Sequence, residues 1–265
     1  MNDGAVPMRW YEYRDQLEEV LGEVIEEAQV TIYLNGKELA TMMTTPRNLQ
    51  ALALGFITNE GLIDSADEVD HIHISLKGCC ADVWLKHAVK HPRRKIITSG
   101  CGGGVTFRDP SSTIQPLSSR LKVDPEILFD LFNKIQKPGS LYSRARGVHT
   151  AGLSDGEEVL CIVEDVGRHN TIDKLVGIAM MEGIETRDRL LLVSGRISSE
   201  MLLKAVFMGC PIIASRNSPT SMSITLAEEL NITLIGYVRR SNMRVYTHPE
   251  RLQMEIAESA DPAKG

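Results

Sequence analysis

Residues 189–196 read Arg-Leu-Leu-Leu-Val-Ser-Gly-Arg, an unbroken apolar run that ends on a small, polar, basic tail. A short apolar run that stops at such a signal suits a strand buried on both faces. The form recurs at 159–163, 211–214 and 232–238, and helix-like stretches 171–181, 199–208 and 221–230 separate the four runs. Strand and helix alternating at this length predict an α/β domain with a mostly parallel sheet and helices on both sides.

The tails matter more than the runs. They read Glu164-Asp-Val-Gly-Arg-His-Asn, Ser194-Gly-Arg, Ser215-Arg-Asn-Ser-Pro-Thr-Ser and Arg239-Arg-Ser-Asn. Parallel strands deliver their tails to one edge, where open α/β sheets bind ligands. That edge would collect Arg168, His169, Arg196, Arg216, Arg239 and Arg240 together with helix N-termini, whose N–H groups favour anions. Helix capping at an exposed edge explains any one tail, but four together point to an anionic, nucleotide-like ligand. Neither Gly-x-Gly-x-x-Gly nor a Walker loop occurs, so ordinary NAD or ATP use is not indicated.

A second stretch with chemical potential is Lys95-Ile-Ile-Thr-Ser-Gly-Cys-Gly-Gly-Gly-Val, in which glycines surround Cys101. Glycine lets the backbone approach another molecule closely. A thiol there would be accessible, and Arg93, Arg94 and Lys95 could favour its thiolate. A glycine-rich loop with an incidental cysteine is the other reading. Five Lys/Arg fall within 86–95, either a solvated charge run or a surface for an anion or an acidic partner.

Elsewhere the residues read as scaffold. Segment 1–22 looks like a tail leading into a short amphipathic piece. Residues 29–34 and 38–43 flank Asn35-Gly36, a strong hairpin signal. A helix opens at Pro46 and closes at Gly61, with an apolar face for the hairpin and Glu60 as a solvated end. His71-Ile-His-Ile-Ser-Leu alternates as a half-buried strand does; its two histidines suit an exposed face or, alternatively, a metal. A strand is expected at 83–85. Residues 108–123, rich in Ser and Pro, form a crossover, which divides the chain into a small α+β domain, 1–107, and an α/β domain, 108–265. Asp124-Pro125-Glu126 starts a helix that buries Ile127, Leu128, Leu131, Phe132 and Ile135. His149 reads as a structural histidine.

Composition sets outer limits on the 265 residues. A net charge of −6 argues against a general nucleic-acid binder. No run approaches the roughly twenty apolar residues of a membrane span, and the acidic N-terminus does not suit a signal peptide, so a cytoplasmic protein is expected. Cys79, Cys80, Cys101, Cys161 and Cys210 are odd in number and hold no Cys-x-x-Cys, which suggests neither a disulfide framework nor a cysteine-rich zinc site. Cys161 and Cys210 sit in apolar surroundings, where a packing role is expected.

Several of these segments, in the same order, resemble the FdhD family of sulfur carriers required for formate dehydrogenase maturation. They are Asn35-Gly36, Leu54-Gly-Phe-Ile-Thr-Asn-Glu-Gly, Thr98-Ser-Gly-Cys-Gly, Glu164-Asp-Val-Gly-Arg-His-Asn-Thr-Ile-Asp-Lys, Ser194-Gly-Arg, Ser218-Pro-Thr-Ser and Tyr246-Thr-His-Pro-Glu-Arg. The resemblance implies a three-layer C-terminal domain with a cytidine-deaminase-like fold, and a homodimer acting as a sulfurtransferase. It would take sulfur from a cysteine desulfurase and pass it to the molybdenum bis(molybdopterin guanine dinucleotide) cofactor before insertion into the formate dehydrogenase catalytic subunit. By position, Cys101 matches the persulfide-bearing cysteine, and Tyr237, Val238, Arg239, Arg240, Ser241 and Asn242 match the cofactor-binding segment; no bound metal is implied. The family usually has a second cysteine where this chain has Gly104. A cofactor-binding chaperone without sulfur chemistry is therefore the alternative. A zinc deaminase would need His-x-Glu and Pro-Cys-x-x-Cys, which the sequence lacks.

Overall fold

The computed structural model describes residues 3–75, 78–90, 114–136 and 139–254, and the backbone alone at 96–97 and 105–106. The chain opens with a hairpin, β1 (Ala5–Tyr13) and β2 (Leu17–Ile25), where a tail and amphipathic piece were expected. No residue of either strand is fully buried, so the ribbon's sequence carries no apolar alternation to read.

The next strands follow expectation. β3 (Ala28–Leu34) and β4 (Lys37–Thr44) flank Asn35 and Gly36, both at positive φ as a tight hairpin turn requires. Helix α1 (Leu49–Asn59) follows, then β5 (Val69–Ile74) and β6 (Cys80–Leu85), giving a four-stranded sheet in the order β4-β3-β6-β5. The last strand starts earlier than the 83–85 expected. Leu52, Phe56 and Ile57 pack on Val30, Ile32, Ala81 and Val83. Because nine of the eleven residues of α1 are buried, the residue that ends it is enclosed too. Glu60 is 6% exposed, a correction to the solvated end expected there. His71 and His73 are exposed on β5, and His71 stacks on Trp84 and bonds Asp70 at 2.8 Å. A two-residue ladder then pairs β7 (Ile96–Ile97) with β8 (Val105–Thr106). Cys101, its glycines and residues 91–95 of the basic run lie outside the described residues.

The remainder comprises α2 (Pro125–Lys134), α3 (Leu141–Ala145), β9 (His149–Ser154), β10 (Val159–Asp165), α4 (Arg168–Glu182), β11 (Leu190–Val193), α5 (Ser199–Phe207), β12 (Ile212–Ser215), α6 (Ser221–Glu229), β13 (Thr233–Gly236) and β14 (Arg244–Thr247). Asp124 caps α2 by accepting the N–H of Glu126. Ile127 is 36% exposed rather than buried; Phe129, at 7%, takes its place because the helix turns that side to the sheet.

The six strands lie in the order β10-β9-β11-β12-β13-β14. Only β11–β12 and β12–β13 are parallel pairs, so the mostly parallel sheet expected from the sequence is in fact mixed. The difference comes from β9 and β14, which the sequence did not reveal as strands. Both β10 and β11 run antiparallel to β9, and therefore in the same direction as each other. All four strands read from the sequence thus still deliver their tails to one edge. Val163, Leu175, Leu191, Met201, Ile213 and Ala227 join α4, α5 and α6 to one face of the sheet. Leu128, Leu131 and Phe132 of α2 cover Leu190, Leu192 and Ile235 on the other.

The helices α1 and α4 cross at backbone contact. A side chain at Gly55 would strike the Asp173 carbonyl, and one at Gly177 the Ala51 carbonyl. No helix among the described residues is long and apolar enough to cross a membrane.

Candidate functional site

Hydrogen bonds to main-chain carbonyls stitch the tails of β11, β12 and β13 together. Ser215 Oγ donates to the Gly195 carbonyl at 2.6 Å, and the Val238 N–H donates to the Ser215 carbonyl at 3.0 Å. The Arg216 N–H reaches Val193 at 3.2 Å, and Tyr237 reaches Asn217 at 3.2 Å. Ser198 and Thr220 then cap α5 and α6. The β10 tail joins through Gly195: a Cβ there would stand 3.1 Å from His149 Nδ1 and 3.2 Å from Arg168 Cβ. His149, read from sequence as structural, begins an antiparallel strand opposite Asp165, and so reaches the same edge.

The edge brings most of the expected residues together, in different roles. Arg196, Arg239, Arg240, Ser241 and Asn242 are exposed, and a turn from Arg239 N–H to the Asn242 carbonyl, 2.8 Å, shapes the last four. Arg239 Nη1 donates to the Arg216 carbonyl at 2.5 Å, which holds the two arginines side by side. Arg216 is half-buried, its guanidinium 5.8 Å from the Phe132 ring centroid. Burial, and then the charge of Arg239, pull its pKa down. No described carboxylate lies within ion-pair distance of Arg196, Arg216, Arg239 or Arg240. Cations held together without a counter-ion favour a bound anion. Tyr237 is half-buried at φ 52°, with Arg244 4.4 Å from its ring centroid. Val238 is fully buried in the core, so it offers a ligand no side chain. Arg168 is 9% exposed.

His169 also turns inward, its side chain 14% exposed and its Nε2 3.5 Å from Glu200 without an aligned hydrogen bond. Burial, then Lys204, Arg168 and His149, lower its pKa to about 3. His149 is lowered as well, first by burial and then by Arg168, against the pull of Asp165. Both rings are accordingly neutral near pH 7. The folded chain refuses a proton at His169 that the unfolded chain binds at about pH 6.5. The stability this histidine contributes is complete above that pH and is lost as pH falls toward about 3, by up to roughly 1.4 kcal/mol per unit. Urea unfolding at pH 7 and 4.5 should therefore show a smaller loss for His169→Gln than for the natural chain; equal losses would place the titration elsewhere.

The segment 164–174 has a second role that the sequence did not reveal. Glu164 accepts the N–H groups of Leu141, at 2.8 Å, and Tyr142, at 3.0 Å, and so fixes α3. The Asp165 carboxylate is fully buried and takes five donors: Gly167 N and Asn170 Nδ2 on one oxygen, Thr44 Oγ1, Thr45 N and Lys174 Nζ on the other. Lys174, also fully buried, reaches the Thr45 carbonyl at 2.8 Å as well. Burial pulls the Lys174 pKa down while the Asp165 charge opposes it. Asp173 repeats the pattern, accepting from Asn59 at 2.7 Å and Lys204 at 2.5 Å. These charges fasten the first sheet and α1 to α4. The spacing of Asn170 and Lys174, one helical turn apart, was the available signal.

A cleft of about 510 Å³ lies elsewhere, lined by Asn59, Asp64, Asp67, Met180, Glu185 and Phe207 among others. It contains none of the expected site residues, and its acids do not suit an anion. Burial pushes the Cys161 thiol up to about 11 and raises Cys210 further, which fits the packing roles expected of both.

A mixed sheet covered by helices on both faces, with a smaller four-stranded sheet and α1 joined to it through α4, makes this a mixed α/β protein. The chain belongs to the FdhD/NarQ family, whose model matches residues 25–253. It is 37% identical over 261 residues to the sulfur carrier protein FdhD of Bacillus subtilis, covering 96% of this chain and 100% of that one. The protein of the same name from Staphylococcus aureus strain MRSA252 is 34% identical, with 87% and 89% covered. Among solved structures, a candidate formate dehydrogenase accessory protein from Desulfotalea psychrophila superposes with a TM-score of 0.80 at 25% identity, covering 94% of this chain and 99% of that one.

Proposed function

We propose that this chain is a sulfur carrier serving a formate dehydrogenase, accepting sulfur as a persulfide on Cys101 and delivering it to the molybdenum bis(molybdopterin guanine dinucleotide) cofactor, its cargo. The names of the relatives support sulfur carriage, and that of the structural neighbour supports the link to formate dehydrogenase. The single observation that carries the cargo assignment is the set of arginines gathered at the strand edge with no described carboxylate within ion-pair distance of Arg196, Arg216, Arg239 or Arg240. In the first step the Cys101 thiolate attacks the outer sulfur of a desulfurase persulfide. The donor's S–S bond breaks, the donor cysteine leaves as thiolate, and Cys101 holds the sulfur. Arg239, Arg240 and Arg216 bind the phosphates of the guanine nucleotide, with Arg196 and Ser241 beside them. Holding the cargo in the complex that carries the sulfur makes delivery intramolecular. A second copy of the chain completes the assembly as a homodimer.

Calorimetric titration with guanosine diphosphate tests the cargo half. Replacing Arg239 and Arg240 together by alanine should weaken binding about tenfold or more, since each charge-assisted bond contributes roughly 1.5–3 kcal/mol. Both side chains are exposed, so the melting temperature should hold. Unchanged affinity would remove the nucleotide from this edge.

A further inference from the structure

Cys79 and Cys80 form the second chemically notable feature of the molecule. Adjacent residues of a strand normally point to opposite faces. Here Cys79 precedes the strand, which begins at Cys80, and the Gly78 N–H donates to the Ser75 carbonyl at 2.8 Å with Gly78 at φ 65°. Ser75 Oγ accepts both following N–H groups, from Cys79 at 3.2 Å and Cys80 at 3.1 Å. The two sulfurs converge to 3.7 Å, and Ser75 Oγ lies 3.5 Å from the Cys79 sulfur. Both flanks are fixed by the sheet, since Thr31 donates to the Cys79 carbonyl at 2.9 Å and the Cys80 carbonyl accepts from Ser75 at 3.0 Å. Cys79 is exposed and Cys80 half-buried. The scaffold therefore presents a preset dithiol to solvent.

We propose that Cys79 and Cys80 are a second sulfur-accepting site, in which Cys79 takes sulfane sulfur from a persulfide donor and Cys80 discharges it as sulfide. The proposal rests on the sulfur-carrier reading for the donor, and needs no contact with Cys101. Cys79, as thiolate, attacks the outer sulfur of the donor R–S–S–H; the donor S–S bond breaks and the donor leaves as R–S⁻. The Cys80 thiolate then attacks the inner sulfur of the Cys79 persulfide, hydrosulfide leaves, and a Cys79–Cys80 disulfide remains. Overall the persulfide is reduced to thiol and sulfide, and the dithiol is oxidised by two electrons. Burial, and then contact with Cys79, raise the Cys80 pKa, so the thiolate that the second step needs forms less readily than on a free cysteine. The second step is held back by geometry. Neighbouring Cα atoms stand about 3.8 Å apart, against roughly 4.4–6.8 Å in relaxed disulfides. The resulting bond is strained and readily reduced, so the site resets with ordinary thiols.

The test is peptide mapping of the full-length chain, alkylated after incubation with a cysteine desulfurase and cysteine. Trypsin separates residues 78–86 from residues 96–108, which contain Cys101, so one digest reads both sites. Sulfur is expected on Cys79, or the disulfide in its place. Cys80→Ser should raise the retained persulfide several-fold, and Cys79→Ser should abolish it. Sulfur on Cys101 with none on residues 78–86 in any variant overturns this proposal and leaves the carrier reading standing. Sulfur on Cys79 with none on Cys101 does the reverse, and no sulfur on either overturns both.

Discussion

Replacing Asp165 by alanine is expected to destabilise the chain by about 3–5 kcal/mol, because it strands a buried ammonium. Lys174 has no exposure, and its remaining protein acceptor is the Thr45 carbonyl. The loss also removes the acceptor for Thr44, Thr45, Gly167 and Asn170, four donors drawn from segments about 120 residues apart. Lys174→Met alone should cost a comparable amount by stranding the carboxylate. The double substitution should cost less than the two single losses added together, because neither charge is then left alone. Urea midpoints at constant m-value measure all three. Additive losses would mean that the pair is not coupled.

Cys101→Ala is the second large effect expected. Loss of a nucleophile typically lowers turnover by several powers of ten, so sulfur delivery from the desulfurase to the cargo should fall to background. Guanosine diphosphate affinity should stay within about twofold, since the arginines proposed to bind it lie on other segments. Delivery that survives the change would remove Cys101 from the reaction.

The comparison of sequence with structure turns on where the deciding forces are. β3 with β4, and β11, β12 and β13, were legible because their signals are local: Asn35-Gly36 in one case, unbroken apolar runs in the other. β1 and β2 were not, since a ribbon that fully buries none of its residues needs no apolar period. β9 was hidden for the opposite reason. Its small and polar residues are buried by the strands on either side, β10 and β11, a tertiary effect that propensity does not carry. Misreading it made the sheet mostly parallel and left His149 away from the edge that it in fact reaches.

The arginine edge was visible in four tails because each tail follows its strand directly. The structural use of Asp165 and Lys174 was not. Their motif reads as ligand-facing until Thr44 and Thr45, far upstream, supply the burial and the hydrogen bonds. One motif thus divides its labour: Asp165, Asn170, Asp173 and Lys174 secure the fold, while Arg168 and His169 pack largely buried behind the edge.

The most direct measurement of the carrier function is the mass of the Cys101 peptide, residues 96–108, after incubation of the natural chain with an active cysteine desulfurase and cysteine. One added sulfur on Cys101, removed by reductant, is the expected result. An unmodified Cys101 in a chain that still binds guanosine diphosphate would contradict sulfur carriage on Cys101 and leave a protein that binds cargo at the arginine edge.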